Sequence, residues 1–154
     1  LGGTGAANKL DDYEEGTWVP IYYDENDGSE LAGVVYNGRR YGRYTKIGNM
    51  VTINFQIITS SMTLTGSSTN QVSLGGLPFS LGVLNASDSN ADFGDTVVPV
   101  PSGFNDSPLY VEGSLGNSRF YLRVSDHTSF TIADMQTGNF DNSLRGSITY
   151  KTDA

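Results

Sequence analysis

Residues 10–20, LDDYEEGTWVP, gather the groups best able to do chemistry. Asp11, Asp12, Glu14 and Glu15 crowd together just before the only tryptophan, Trp18. Glycoside hydrolysis needs two carboxyl groups about 5–10 Å apart, in surroundings that separate their pKa values. Glu14 and Glu15 are adjacent and face opposite ways on an extended chain. Asp12 and Glu14 share a face, but a solvated i,i+2 pair has nothing to raise either pKa. The spacing argues against a catalytic acid pair.

Other patterns meet similar objections. DENDGSE (24–30) has the oxygens of a calcium loop, but its glycine falls one position early and no helices flank it. DSNADFGD (88–95) is the better oxygen cluster, with Asp88, Asn90, Asp92 and Asp95, yet these are also the ordinary residues of solvated turns. His127, the sole histidine, has no G-x-S-x-G elbow to serve, and SDHTS between two strand patterns reads as a turn. Neither GGTG nor GSLG is followed by the Lys-Ser/Thr of a phosphate loop. The chain therefore calls for no metal and no cofactor. YNGRRYGRYTK (36–46) sets Arg39, Arg40, Arg43 and Lys46 among three tyrosines. That cluster suits an anion or a sugar, or simply hairpin-edge cations that deter aggregation.

Recognition chemistry is spread over loops instead. Three long loops, 24–33, 84–95 and 101–108, are rich in Asp, Asn and Ser, and the second and third add the aromatics Phe93 and Phe104. Aromatic faces stack on sugar rings while Asp and Asn hydrogen-bond hydroxyls. In the second and third loops Phe93 and Phe104 are the candidate stacking residues, with Asp92, Asn105 and Asp106 as hydrogen-bond partners. Asn139, Phe140, Asp141 and Asn142 form a secondary candidate.

The elements that must hold these loops are strands. Nineteen glycines, abundant Thr, Ser, Tyr and Val, and few helix formers favour β-structure. NMVTINFQIITS alternates Val51, Ile53, Phe55 and Ile57 with Thr52, Asn54 and Gln56. RFYLRVS turns Phe120, Leu122 and Val124 inward; SFTIADM offers Phe130 and Ile132; SLRGSITYKT offers Leu144, Ile148 and Tyr150. Further strands are expected at 17–23, 34–36, 43–47, 71–74, 96–100 and 109–115, with a tight turn at Gly48-Asn49. Trp18, Tyr44, Phe55 and Tyr150 are assigned to the core or a subunit interface. No helical period is sustained, and the spacing is that of an all-β sandwich or barrel.

The 154 residues suit one domain. Nine Lys and Arg against seventeen Asp and Glu, a formal charge of −8, argue against nucleic acid and against an anionic membrane surface. No apolar run approaches the roughly 20 residues of a membrane helix, and cysteine is absent. The opening LGGTGAANKL lacks an initiator methionine and a signal-peptide layout. It reads as the start of a module hung on an upstream stalk.

NKLDDYEEGTWVP (8–20), GRYTKIGNMVTINFQI (42–57), GLPF (76–79) and the closing GSITYKT (146–152) stand in an order that resembles the C-terminal domain of phage tail fibres and related tail receptor-binding proteins. The resemblance implies a homotrimeric antiparallel β-sandwich head, jelly-roll-like, at the tip of a fibre on the virion. It implies a partner in the upstream fibre stalk and a glycan or protein receptor on the bacterial surface. It also implies binding rather than enzymatic activity. Residues 1–16 then form an acidic stalk-to-head leader with Gly16 turning the chain, and 17–154 form the head. A structural tip that only caps or trimerises the fibre, and a tailspike-type polysaccharide-degrading enzyme, are the alternatives.

Overall fold

The computed structural model describes residues 12–63, 66–82, 93–96, 100–106, 108, 110–113, 117–125, 128–139 and 141–153. Two antiparallel sheets pack face to face. The first runs β1 (Tyr13–Trp18), β5 (Tyr41–Ile47), β6 (Met50–Met62), β13 (Ser143–Lys151) and β8 (Phe93–Thr96), with β4 (Val34–Tyr36) on β6 and β9 (Val100–Ser102) on β13. The second runs β10 (Tyr110–Gly113), β11 (Arg119–Ser125), β7 (Val72–Gly75), β2 (Ile21–Asp24) and β3 (Ser29–Glu30), with β12 (Thr128–Ser129) on β11. Among the described residues there is no α-helix. This is the sandwich expected.

Strand β6 is its spine. Val51, Ile53, Phe55 and Ile57 are buried as the alternation predicts, while Asn54 points to solvent. β13 lies beside it in register, Ile148 opposite Ile53 and Tyr150 opposite Val51, and adds Leu144, Ile148 and Tyr150 to the same inner face. The second sheet answers with Tyr22, Val72, Leu74, Phe120 and Leu122. Rings meet edge to face across the gap: Phe120 and Tyr150 have centroids 5.5 Å apart at 81°, a geometry that aligns a ring's positive edge with its neighbour's negative face.

Several boundaries differ from expectation. The strand expected over 17–23 is two strands in different sheets, because the chain changes sheet at Val19-Pro20. Proline has no N–H for a ladder bond, so it suits that break. Gly16 does not turn the chain; it lies inside β1, opposite Tyr44. A side chain there would collide with the tyrosine ring, whose Cε1 is 2.7 Å from the place of a Cβ. The sheet thus begins at Tyr13, and the leader-to-head boundary expected after residue 16 falls within a strand.

SFTIADM is not a strand over its length. After β12 the chain enters a 3-10 turn at Ile132–Asp134, where the Asp134 carboxylate accepts from Thr131 N (2.7 Å) and Thr131 Oγ1 (2.8 Å). Phe130 and Ile132 are nevertheless buried. The strand expected over 96–100 is found as its two ends, β8 and β9; 97–99 lie outside the described residues. At Gly48-Asn49 the turn is as read: Ile47 pairs with Met50, and Gly48 has φ +59°.

Candidate functional site

The carboxylates of the opening segment serve the strand. Glu14 accepts a hydrogen bond from the Tyr44 hydroxyl (2.5 Å) and Glu15 from that of Tyr13 (2.7 Å). Each bond is lost when its phenol ionises, so both tyrosines hold their protons above the usual phenol pKa. These contacts belong to a larger cluster. Trp18 lies over Gly42, and Tyr44 over Gly16. Phe79 meets Tyr44 edge to face at 5.3 Å, and its carbonyl accepts from the Tyr150 hydroxyl at 3.0 Å. Gly76, at φ +80°, comes so close to the Val19 carbonyl that a Cβ would overlap it.

The loop candidates divide. Asp92 and Phe140 lie outside the described residues, as does His127. Phe93 opens β8 opposite Tyr150. Phe104 is not a free stacking face: it is 9% exposed, edge-on to Phe130 at 5.4 Å and to Tyr22 at 6.5 Å. An aromatic among turn residues reads the same whether it points out or in, and here core burial wins. Asn142 is also structural. It is fully buried, with Nδ2 donating to Gln136 O (2.8 Å), Oδ1 accepting from Gln136 N (2.8 Å) and its backbone N–H donating to Thr59 Oγ1 (2.8 Å).

Asn105 is spent on the 3-10 turn, donating to Ala133 O (3.0 Å) and Met135 O (2.9 Å). Asp106, Asn139 and Asp141 are exposed. The two segments do meet, since Gly103, at φ +83°, leaves no room for a Cβ beside the Asp141 carbonyl. The loop 24–33 is a turn over β2–β3: Asp24 accepts from Asn26 N (2.9 Å) and Asn70 Nδ2 (2.9 Å), and Asp27 accepts from Ser29 N (3.0 Å). Its oxygens hold the turn itself. Among the described residues no group of three or more acidic or histidine side chains gathers for a metal.

The open concavity lies on the outer face of the first sheet. Strand alternation aims Tyr41, Arg43 and Thr45 of β5, Asn54 and Gln56 of β6, and Arg145 of β13 to solvent, and the register aligns them: Tyr41–Gln56–Arg145 in one row, Arg43–Asn54–Ser147 in the next. A depression of about 370 Å³ is lined by Tyr41, Arg43, Asn54, Gln56 and Arg145, together with Phe55 and Gly146. A second, of about 460 Å³, continues it past Arg43 and Asn54 to Glu15 and Thr17. Beside them Thr52 and Thr149 share a hydroxyl hydrogen bond at 3.0 Å.

Four of the cations away from this groove are engaged. Arg40 is paired with Glu30 (3.0 Å) and lies over the Tyr36 ring (4.0 Å). Arg123 pairs with Glu112 (2.7 Å). Arg119 Nε sits 2.7 Å from Glu25 Oε1, at an angle outside hydrogen-bond geometry. Lys46 lies over the Phe79 ring. Arg43 and Arg145 are exposed and have no ion-pair partner among the described residues. Of the groove, the basic-cluster reading had found Tyr41 and Arg43, and alternation had turned Asn54 and Gln56 outward. Arg145 was missed, because nothing in a strand's own sequence says which strand will lie beside it.

The groups on this surface are suited to holding anions and hydroxyls. Guanidinium forks match carboxylate or phosphate, and amides satisfy hydroxyls. Glu15 is the one carboxylate in the lining, where glycoside cleavage asks for two. No protein-family model matches the chain, and neither the curated proteins nor the solved structures yield a match.

Proposed function

We propose that this chain is the distal receptor-binding head of a phage tail fibre: a homotrimer, carried on the virion, that attaches it to a glycan or protein of a bacterial surface. The observation that carries this reading is the packing of the four separated sequence pieces on which the resemblance rests. The entry segment 13–20, the hairpin 42–57, the turn 76–79 and the closing strand meet in one cluster of Trp18, Gly42, Tyr44, Phe79 and Tyr150. Pieces that recur in order and also touch behave as one scaffold. A groove without an acid pair favours attachment over turnover, and three copies multiply weak sites when geometry lets them engage together.

The test joins mass to adsorption. Light scattering is expected to give about three times the 16.5 kDa chain mass. The fluorescently labelled chain is expected to coat cells of some strains in a bacterial panel and not others. A monomer that coats none counts against the reading. A trimer that coats none favours a structural tip, which the same packed cluster would also serve.

A further inference from the structure

The geometry points to a ligand class for the groove between β5 and β13: a polysaccharide chain carrying repeated negative charge, carboxylate or phosphate, held by Arg43 and Arg145. The inference rests on the receptor-binding reading and deepens it.

Charge comes first. The chain carries −8 overall, yet the outward positions of β1, β5, β6 and β13 hold Arg43, Arg145 and Lys151 against Glu15 alone. A locally cationic strip on an acidic molecule attracts anions. Elsewhere Arg40, Arg119 and Arg123 are held by Glu30, Glu25 and Glu112, while Arg39 is exposed on a loop with no ion pair among the described residues. Arg43 and Arg145 keep their donors free of carboxylate among the described residues.

Span comes second. β5 and β13 flank β6, and the two arginines sit opposite Asn54 and Gln56, two residues apart. Strand spacing and rise then separate their Cα atoms by roughly 12 Å. That exceeds one sugar ring, so the forks suit charges on an extended chain. Between them Asn54 and Gln56 offer amide donors and acceptors to hydroxyls. At the end of the row Tyr41, 56% exposed, offers a ring face for a sugar to stack on. A protein partner would look for a desolvated apolar centre; here the side chains that strand alternation turns outward are mainly amide, hydroxyl and guanidinium, and Phe55 faces the core.

Calorimetry on the intact chain tests it with three polymers: polygalacturonate for carboxylate, poly(glycerol phosphate) for phosphate, and methyl-esterified polygalacturonate as the uncharged backbone. Binding is expected to at least one charged polymer, weakening as salt rises, with none to the ester. R43Q and R145Q should each weaken it about tenfold or more, the scale of a charge-assisted contact. Arg39→Gln, on an exposed loop outside the lining of both depressions, should leave it unchanged. Unfolding midpoints of all three variants should match the parent.

Equal binding to the ester, binding indifferent to R43Q and R145Q, or no binding to either charged polymer overturns the inference. So does a change of oligomer mass in R43Q or R145Q, which would make the face a subunit contact. If the parent chain still coats cells in those cases, the receptor-binding reading stands while this inference falls. If it coats none, both fall.

Discussion

At the residue scale, the side chains that hold this fold are those that leave no room for alternatives. Gly42 lies under the Trp18 indole, so Gly42→Ala must move the ring or the strand. Overpacking of this kind costs about 1–3 kcal/mol, which for a domain of this size lowers the melting temperature by roughly 3–10 °C; a calorimetric scan reads it directly. Asn142 is a different case, a buried amide bonded to both backbone groups of Gln136. Asn142→Ala leaves that N–H and C=O without their partner in a half-buried site, at up to about 1–3 kcal/mol for each. Asn139, three residues earlier and exposed, is expected to change urea stability by less than about 0.5 kcal/mol when made alanine. Comparable losses at both positions would contradict this division.

At the scale of elements, the β5–β6 hairpin depends on its turn. Gly48 sits at φ +59° with its N–H bonded to Asp12 O at 3.1 Å. Alanine there enters the left-handed region at a cost of about 1–2 kcal/mol, whereas Gly48→Asn should lose less, since asparagine tolerates that region. Urea midpoints should fall in the order Gly, Asn, Ala. This turn was legible in the sequence because both its residue types and the flanking alternation are local. So were β6, β11 and β13, each with one face buried. The change of sheet at Val19-Pro20 was not, because two strands of like pattern joined by a proline read as one until a partner is known. Phe104 and Asn142 were misplaced for a related reason. Turn residues that cap and fill an end of the sandwich have the composition of residues that greet a ligand, and only burial separates them. The groove was half visible: alternation turned Asn54 and Gln56 outward, but the pairing that brings Arg43 and Arg145 to either side of them is long-range.

At the scale of the whole molecule, the core is built around phenols, and this sets how the fold meets alkali. Tyr22, Tyr36 and Tyr150 sit between or beside the sheets, with hydroxyls engaged: Tyr22 donates to Asn142 O (3.3 Å), Tyr36 accepts from Tyr22 N (3.0 Å), and Tyr150 donates to Phe79 O (3.0 Å). Burial disfavours the phenolate and pushes all three well above the ordinary tyrosine pKa near 10. Below about pH 10 folded and unfolded chains hold these protons alike, so the phenols add no pH dependence. Above it the unfolded chain releases protons that the folded chain keeps, and stability falls as pH rises. The slope approaches about 1.4 kcal/mol per pH unit for each phenol, and three acting together make it steep. Absorbance at 295 nm, followed together with circular dichroism through the alkaline range, reads phenol ionisation against loss of the sheet. Tyr13 and Tyr44, each bonded to a carboxylate, should lag slightly behind an ordinary phenol without unfolding. The buried three should ionise only in the step where the sheet signal collapses. A smooth titration of all nine tyrosines with the fold intact would mean that these phenols reach water in the native state, and that the core is looser than its packing requires.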